Sequence, residues 1–120
     1  METDKAILAF SQSEKIKSGL IWISQALELL QGLYGAERKG GEIVLDAMLR
    51  MISQETQLAR TVVDSEIWDE LDIHLGRALG MVNSGVGHEA TIHLSRALSQ
   101  VTNIGLQSMT ALREKDLLKK

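Results

Sequence analysis

Two ten-residue segments carry the same three titratable side chains. Residues 70–79 read Glu-Leu-Asp-Ile-His-Leu-Gly-Arg-Ala-Leu and residues 89–98 read Glu-Ala-Thr-Ile-His-Leu-Ser-Arg-Ala-Leu, so seven of ten positions agree at a separation of nineteen. Glu70, His74 and Arg77, like Glu89, His93 and Arg96, stand at offsets of zero, four and seven, which places each trio on one stripe of a helix. Two chemistries suit that arrangement. The simpler is a solvated flank on which Glu70–His74 and Glu89–His93 form i,i+4 pairs, each contributing about 0.2–0.5 kcal/mol. The other is a border between helices or subunits, where the histidine charge follows pH and the arginine binds a carboxylate or another anion. These six residues are the candidate partner-binding or anion-binding set. A fainter third copy, Ile21-Trp-Ile-Ser-Gln-Ala-Leu27, keeps the apolar skeleton and puts Trp22 in the place of the histidine.

Other site chemistries fit less well. A carboxylate-bridged di-metal centre needs Glu-x-x-His on two helices, whereas the spacing here is Glu-x-x-x-His. Zinc through His74, His88 or His93 with nearby acids is the only metal reading, and no ligand set converges by spacing, so no metal or cofactor is expected. His88 beside Gly87 reads as an exposed histidine. His74-Leu-Gly-Arg77 and His93-Leu-Ser-Arg96 resemble, in outline, the sites of histidine-containing phosphotransfer domains, which are also four-helix bundles. The resemblance covers only the histidine and the basic residue after it. That family has a lysine followed by a small residue, while Arg77 and Arg96 are followed by Ala and Leu. Glycines form neither a Gly-x-Gly-x-x-Gly nor a P-loop pattern, and no serine sits in a strand–turn–helix elbow. The expectation is a protein without catalytic residues.

The elements that must position the trios are helices. Proline is absent from the 120 residues, as long uninterrupted helices require. Cysteine is absent too, so stability rests on packing and no thiol chemistry is available. The expected fold is all-α, an antiparallel up-down-up-down four-helix bundle in one domain over 1–120, with helices at about 4–34, 42–62, 65–83 and 88–117. The first seam is Leu20, Ile23, Leu27, Leu30 and Tyr34, and Gly35 to Gly41 reads as a polar loop. Upstream, either Thr3 or Asp4 caps a helix of about thirty residues or Ser11 to Glu14 forms a capping box. The second seam is Val44, Met48, Met51, Leu58 and Val62, with Glu55 standing where an apolar residue is due. Its phase breaks before Trp68, Leu71, Leu75, Ala78 and Val82, and Asp64, Glu66, Asp69, Glu70 and Asp72 crowd the expected start of helix 3 near Ser65, where acids suit the helix dipole. The alternative is three long helices with helices 2 and 3 fused in an intertwined dimer. The last seam is Ala90, Leu94, Ala97, Val101, Ile104, Ser108 and Leu112 or Ala111, ahead of a tail with Lys115, Lys119 and Lys120. In a hairpin turning near residue 85, His74 lies level with Ala97 and His93 with Ala78, so the two imidazoles are not expected to meet within one chain.

Helices 2 and 3 of about twenty residues beside helices 1 and 4 of about thirty leave an overhang of roughly ten residues. It carries Ile7, Leu8, Phe10, Met109 and Leu112, with Leu117 and Leu118 beyond. Exposure of that apolar end marks an interaction surface. The functional expectation is therefore a non-enzymatic helical interaction or scaffold module that self-associates as a dimer, with room for an unidentified protein partner. A histidine-based phosphotransfer or metal-binding bundle is the alternative. A net charge of −3 argues against nucleic acid, and no apolar run is long enough for a membrane span, so a cytoplasmic protein is the default.

Overall fold

A computed structural model describes residues 2–63 and 66–115, apart from the Val62 side chain. Asp64, Ser65, Leu117, Leu118, Lys119 and Lys120 lie outside the described residues. Four helices, α1 (Thr3–Leu30), α2 (Gly35–Val62), α3 (Glu66–Asn83) and α4 (Ala90–Glu114), are joined by short connections, with one 3-10 turn at Gly87–Glu89. Each helix packs on its neighbours in the chain and α1 also packs on α4. The contacts run antiparallel throughout. Gly41 lies under Leu30 and Glu55 meets Gln12 between α1 and α2. Ser53 donates to Asp72 between α2 and α3, and Gln100 donates to Glu70 between α3 and α4. Gly105 faces Ser13, and Gly87 faces Leu27, between the last segment and α1. The result is the up-down-up-down four-helix bundle.

Val63 is extended at φ −129° and ψ 106°, so the backbone leaves helical geometry between α2 and α3 and the two are separate helices. At the other hairpin, Gly85 adopts φ +77° while the Val86 amide donates to the Met81 carbonyl and the Gly85 amide to that of Val82. That is the Schellman stop which a glycine without a Cβ accommodates.

The first loop is where expectation and structure part. α1 ends at Leu30, not near residue 34, and α2 begins at Gly35, so the glycine-rich stretch is the first turns of a helix. Glu37, Arg38 and Lys39 favour helix, and the Arg38 guanidinium lies 3.5 Å from the Glu42 carboxylate one turn on. Gly41 is there for space: a Cβ on it would stand 2.6 Å from Leu30 Cδ1. Tyr34 accordingly falls off the α1 seam and is exposed. Helix also runs without interruption past Ser11, so Ser11 is no cap.

The inner stripe of α1 is Ala6, Ala9, Ser13, Ile16, Leu20, Ile23, Leu27 and Leu30, all buried. α3 buries Trp68, Leu71, Leu75, Ala78 and Val82, and α4 buries Ala90, Leu94, Ala97, Val101, Ile104, Ser108 and Leu112, each seam as its spacing predicts. In α2 the buried set is Leu45, Leu49, Thr56 and Ala59, continued by Val63 just past its end, with Ile52 packed against it. The expected α2 seam is therefore one residue out of phase. Val44, Met51 and Leu58 are exposed, and Met48 is half-buried.

Unequal lengths also distribute differently. α1 and α2 have 28 residues each, α3 has 18 and α4 has 25, so only α3 is short. The ends of α1 and α4 pair with each other through small residues. Ser13 Oγ donates to the Phe10 carbonyl and Ser108 Oγ to that of Ile104, which satisfies both buried hydroxyls inside their own helices. A Cβ on Gly105 would stand 3.1 Å from Ser13 Oγ, so backbone approach there depends on glycine. Leu112 is buried in this seam, Phe10 and Met109 are half-buried, and Ile7 and Leu8 remain about half exposed. Gly105→Val is expected to lower stability by about 1–3 kcal/mol through overpacking. Gly76→Ala in α3, where a Cβ meets nothing within 4 Å, is expected to raise it by roughly 0.5–1 kcal/mol. Urea denaturation of both variants checks the pair, and a neutral Gly105→Val would contradict the close α1/α4 seam.

Candidate functional site

The α3/α4 hairpin brings the two trios together. Glu70 beside Gln100 sets its register, in which paired positions sum to 170. Arg96 stands level with His74, and Arg77 level with His93. The imidazoles stack across the helix interface, with ring centroids 6.1 Å apart and planes 25° from parallel. The expectation that they do not meet within one chain is overturned. Backbone levels differ by about three residues, or ~4.5 Å along the axis, and the side chains span that gap.

The expected acid–histidine pairs do not form. Glu70 instead accepts the Gln100 amide at 2.9 Å, and Glu89 lies 4.0 Å from Nε2 of the exposed His88. Among the described residues neither Arg77 nor Arg96 enters an ion pair, and both are exposed. Nδ1 of His74 and Nδ1 of His93 are both buried without a hydrogen-bond partner, while each ring as a whole is only half-buried. A proton on Nδ1 would be a buried donor with no acceptor, a costly arrangement. A ring with its proton on Nε2 avoids that buried donor. That tautomer makes each imidazole an Nε2–H donor. Burial depresses the His74 pKa below its ordinary 6.5, helped by the positive charges of Arg77, His93 and Arg96 and opposed by Glu70.

A second feature lies on the opposite edge of the ring, between α1 and α2, where sequence reasoning found only core. Leu8, Gln12, Lys15, Gly19, Trp22, Ala26 and Leu29 follow the 3/4 spacing along α1, with Leu33 in the loop after it, and Gly41, Val44, Met48, Met51, Glu55 and Leu58 follow it along α2. They line a row of hollows along the α1/α2 seam, two of them meeting at Met48 and the third, beside Leu8 and Leu58, set off by the Gln12 and Lys15 contacts to Glu55. Trp22, Leu29, Val44, Met51 and Leu58 are each more than half exposed. Gly19 allows the approach, since a Cβ there would collide with the Ile52 side chain. Glu55, expected as a polar core position, sits in this groove. It accepts Lys15 Nζ at 2.8 Å and the Gln12 amide at 2.6 Å, and those two contacts, Lys15 first, hold its carboxyl below the usual carboxylate range. The signal was present in α1, whose outer stripe repeats as regularly as its inner one.

Comparison with family models, with curated proteins and with solved structures returned no match. Among the described residues no group of three or more His, Cys, Asp or Glu side chains is placed to hold a metal ion, and no helix is long and apolar enough to cross a membrane.

The depressed His74 pKa fixes a sign for pH dependence. The unfolded chain takes up its proton at about 6.5 and the folded chain only at lower pH, so the unfolded state binds more protons in between and acidification favours unfolding. The His74 contribution is complete above the ordinary pKa and is lost as pH falls through and below it. Between pH 7.5 and 5.5 the chain should lose more stability than its His74→Gln variant, measured by urea midpoints. Parallel losses in the two proteins would sink the assignment.

Proposed function

We propose that this chain is a non-enzymatic helical interaction module that self-associates as a homodimer through its α1/α2 face. The observation that supports the reading is the exposed apolar groove. Its hollows follow α1 from Leu8 to Leu30, about 33 Å at 1.5 Å per residue, and leave Trp22, Leu29, Val44, Met51 and Leu58 more than half in water. Single exposed leucines are ordinary, but a contiguous apolar strip on two adjacent helices is what interaction faces present.

A second copy fits this groove for two reasons. Both rims repeat at the 3/4 spacing of interlocking helices, with large side chains at Trp22, Leu29 and Met51 that can stand as ridges against a second copy. The rims also carry both charge signs, Lys15 and Glu55, so a two-fold operation brings no uniform like-charge surface against itself. The surface expected from sequence shifts accordingly. Leu112 is consumed inside the chain, while Leu8 belongs to the end of the groove.

Sedimentation or light scattering at tens of micromolar should give twice the 13.2 kDa chain mass. Trp22→Glu and Met51→Glu should each weaken the dimer at least a hundredfold, about 2.8 kcal/mol, while leaving helix content unchanged because neither side chain is in the core. Ile7→Glu should leave the mass unchanged. A monomer at 100 µM, or a dimer indifferent to both groove substitutions, would remove the proposal.

A further inference from the structure

The α3/α4 face carries four side chains with donor groups for which no partner is found among the described residues. His74, Arg77, His93 and Arg96 occupy two adjacent turns, with the imidazoles stacked at 6.1 Å and each arginine level with the other helix's histidine. Three residues of helix separate the two levels, ~4.5 Å along the axis, a spacing on the scale of one polyatomic anion. The carboxylates that share their stripe are engaged elsewhere, Glu70 with Gln100 and Glu89 beside His88. Glu70 still acts on His74 through its charge, but neither arginine forms an ion pair with it or with any other described carboxylate. With Nδ1 of both rings buried and partnerless, Nε2 is the nitrogen left for an outside ligand. Both guanidinium groups are exposed and close enough to His74 for their charges to act on it, so two guanidinium forks stand beside the stacked rings.

The geometry points to a binding site for a phosphate-class oxyanion, held by Arg77 and Arg96 from opposite sides and by Nε2–H of His74 and His93 between them. A single carboxylate would use one guanidinium fork. A phosphate group has three or four acceptor oxygens and up to two charges, so it engages both forks and the imidazoles together. The same chemistry is offered by free inorganic phosphate and by a phosphorylated side chain on a partner. The site is independent of the dimer face, which lies on the opposite edge of the bundle.

The test is an NMR titration of the imidazole Hε1 signals of the full chain at pH 6.5 with sodium phosphate, against sodium chloride at equal ionic strength to remove screening. Saturable shifts of both His74 and His93 with phosphate alone are expected, together with upward displacement of the His74 titration midpoint, because a bound anion favours the charged ring. Arg77→Gln/Arg96→Gln should weaken the effect at least tenfold, and Arg113→Gln on the exposed end of α4 should not. The blocked peptide Ala-Gly-phosphoserine-Gly-Ala separates the sources. Binding at least tenfold tighter than inorganic phosphate assigns the site to a phosphorylated side chain, and comparable affinity assigns it to free phosphate. Shifts that match chloride, that involve one histidine only, or that persist in the double arginine variant would overturn the site.

Discussion

Everything in this bundle depends on the inner stripe of α1. Eight residues from Ala6 to Leu30, spaced three and four apart, are buried along nearly the whole helix, and burying such a stripe is the main favourable term for a helical domain. The stripe changes character along its length. Toward the α1/α2 loop it is Leu20, Ile23, Leu27 and Leu30, which fill space between four helices. Toward the start it is Ala6, Ala9 and Ser13, which let α1 lie close on Gly105 and Ser108 where α3 no longer reaches. The taper solves the problem that a short α3 poses, by replacing the missing helix with a narrower gap rather than with larger side chains.

The inner stripe also dictates what remains outside. A helix buried on one face by α4 and on the flank by α2 still presents a third strip, and in α1 that strip carries Leu8, Trp22 and Leu29. α2 does the same one residue out of phase from its core. Two adjacent apolar stripes on one helix are why α2 could not be phased from sequence. Val44, Met48, Met51 and Leu58 have the spacing of a seam, and so do Leu45, Leu49, Ile52 and Ala59. Periodicity measures the spacing of apolar residues and not which of two sets faces inward. Glu55 was the available clue: a carboxylate in the middle of a seam fits a groove open to Lys15 and Gln12 better than a core.

The remaining helices were legible because each has a single apolar face. In α3 and α4 every expected seam residue is buried, and the break before Trp68 was visible as a change of phase without any glycine. The Gly35 to Gly41 stretch misled because glycine signals both a turn and a close approach, and only the position of Leu30 distinguishes the two uses at Gly41. The histidines were recognisable as a matched set but not as a stacked pair. Counting residues from a turn gives the heights of Cα atoms, whereas ring contact is decided by side-chain reach and by which edge of each imidazole the packing buries. The unpartnered Nδ1 atoms have no trace in the sequence at all.

The pairing of α1 with α4 puts the beginning of one helix beside the end of the other, at the same pole of the bundle. In the order of contacts the molecule is thus a ring of four helices, cut at one of its four junctions. A short flexible linker from the end of α4 to the start of α1 could carry the chain across, and the cut could be moved to residues 31–34 without altering any helix–helix contact. Such a circular permutant would keep the same core and both faces, while turning the α1/α4 contact from the most distant pairing in the chain into a local hairpin.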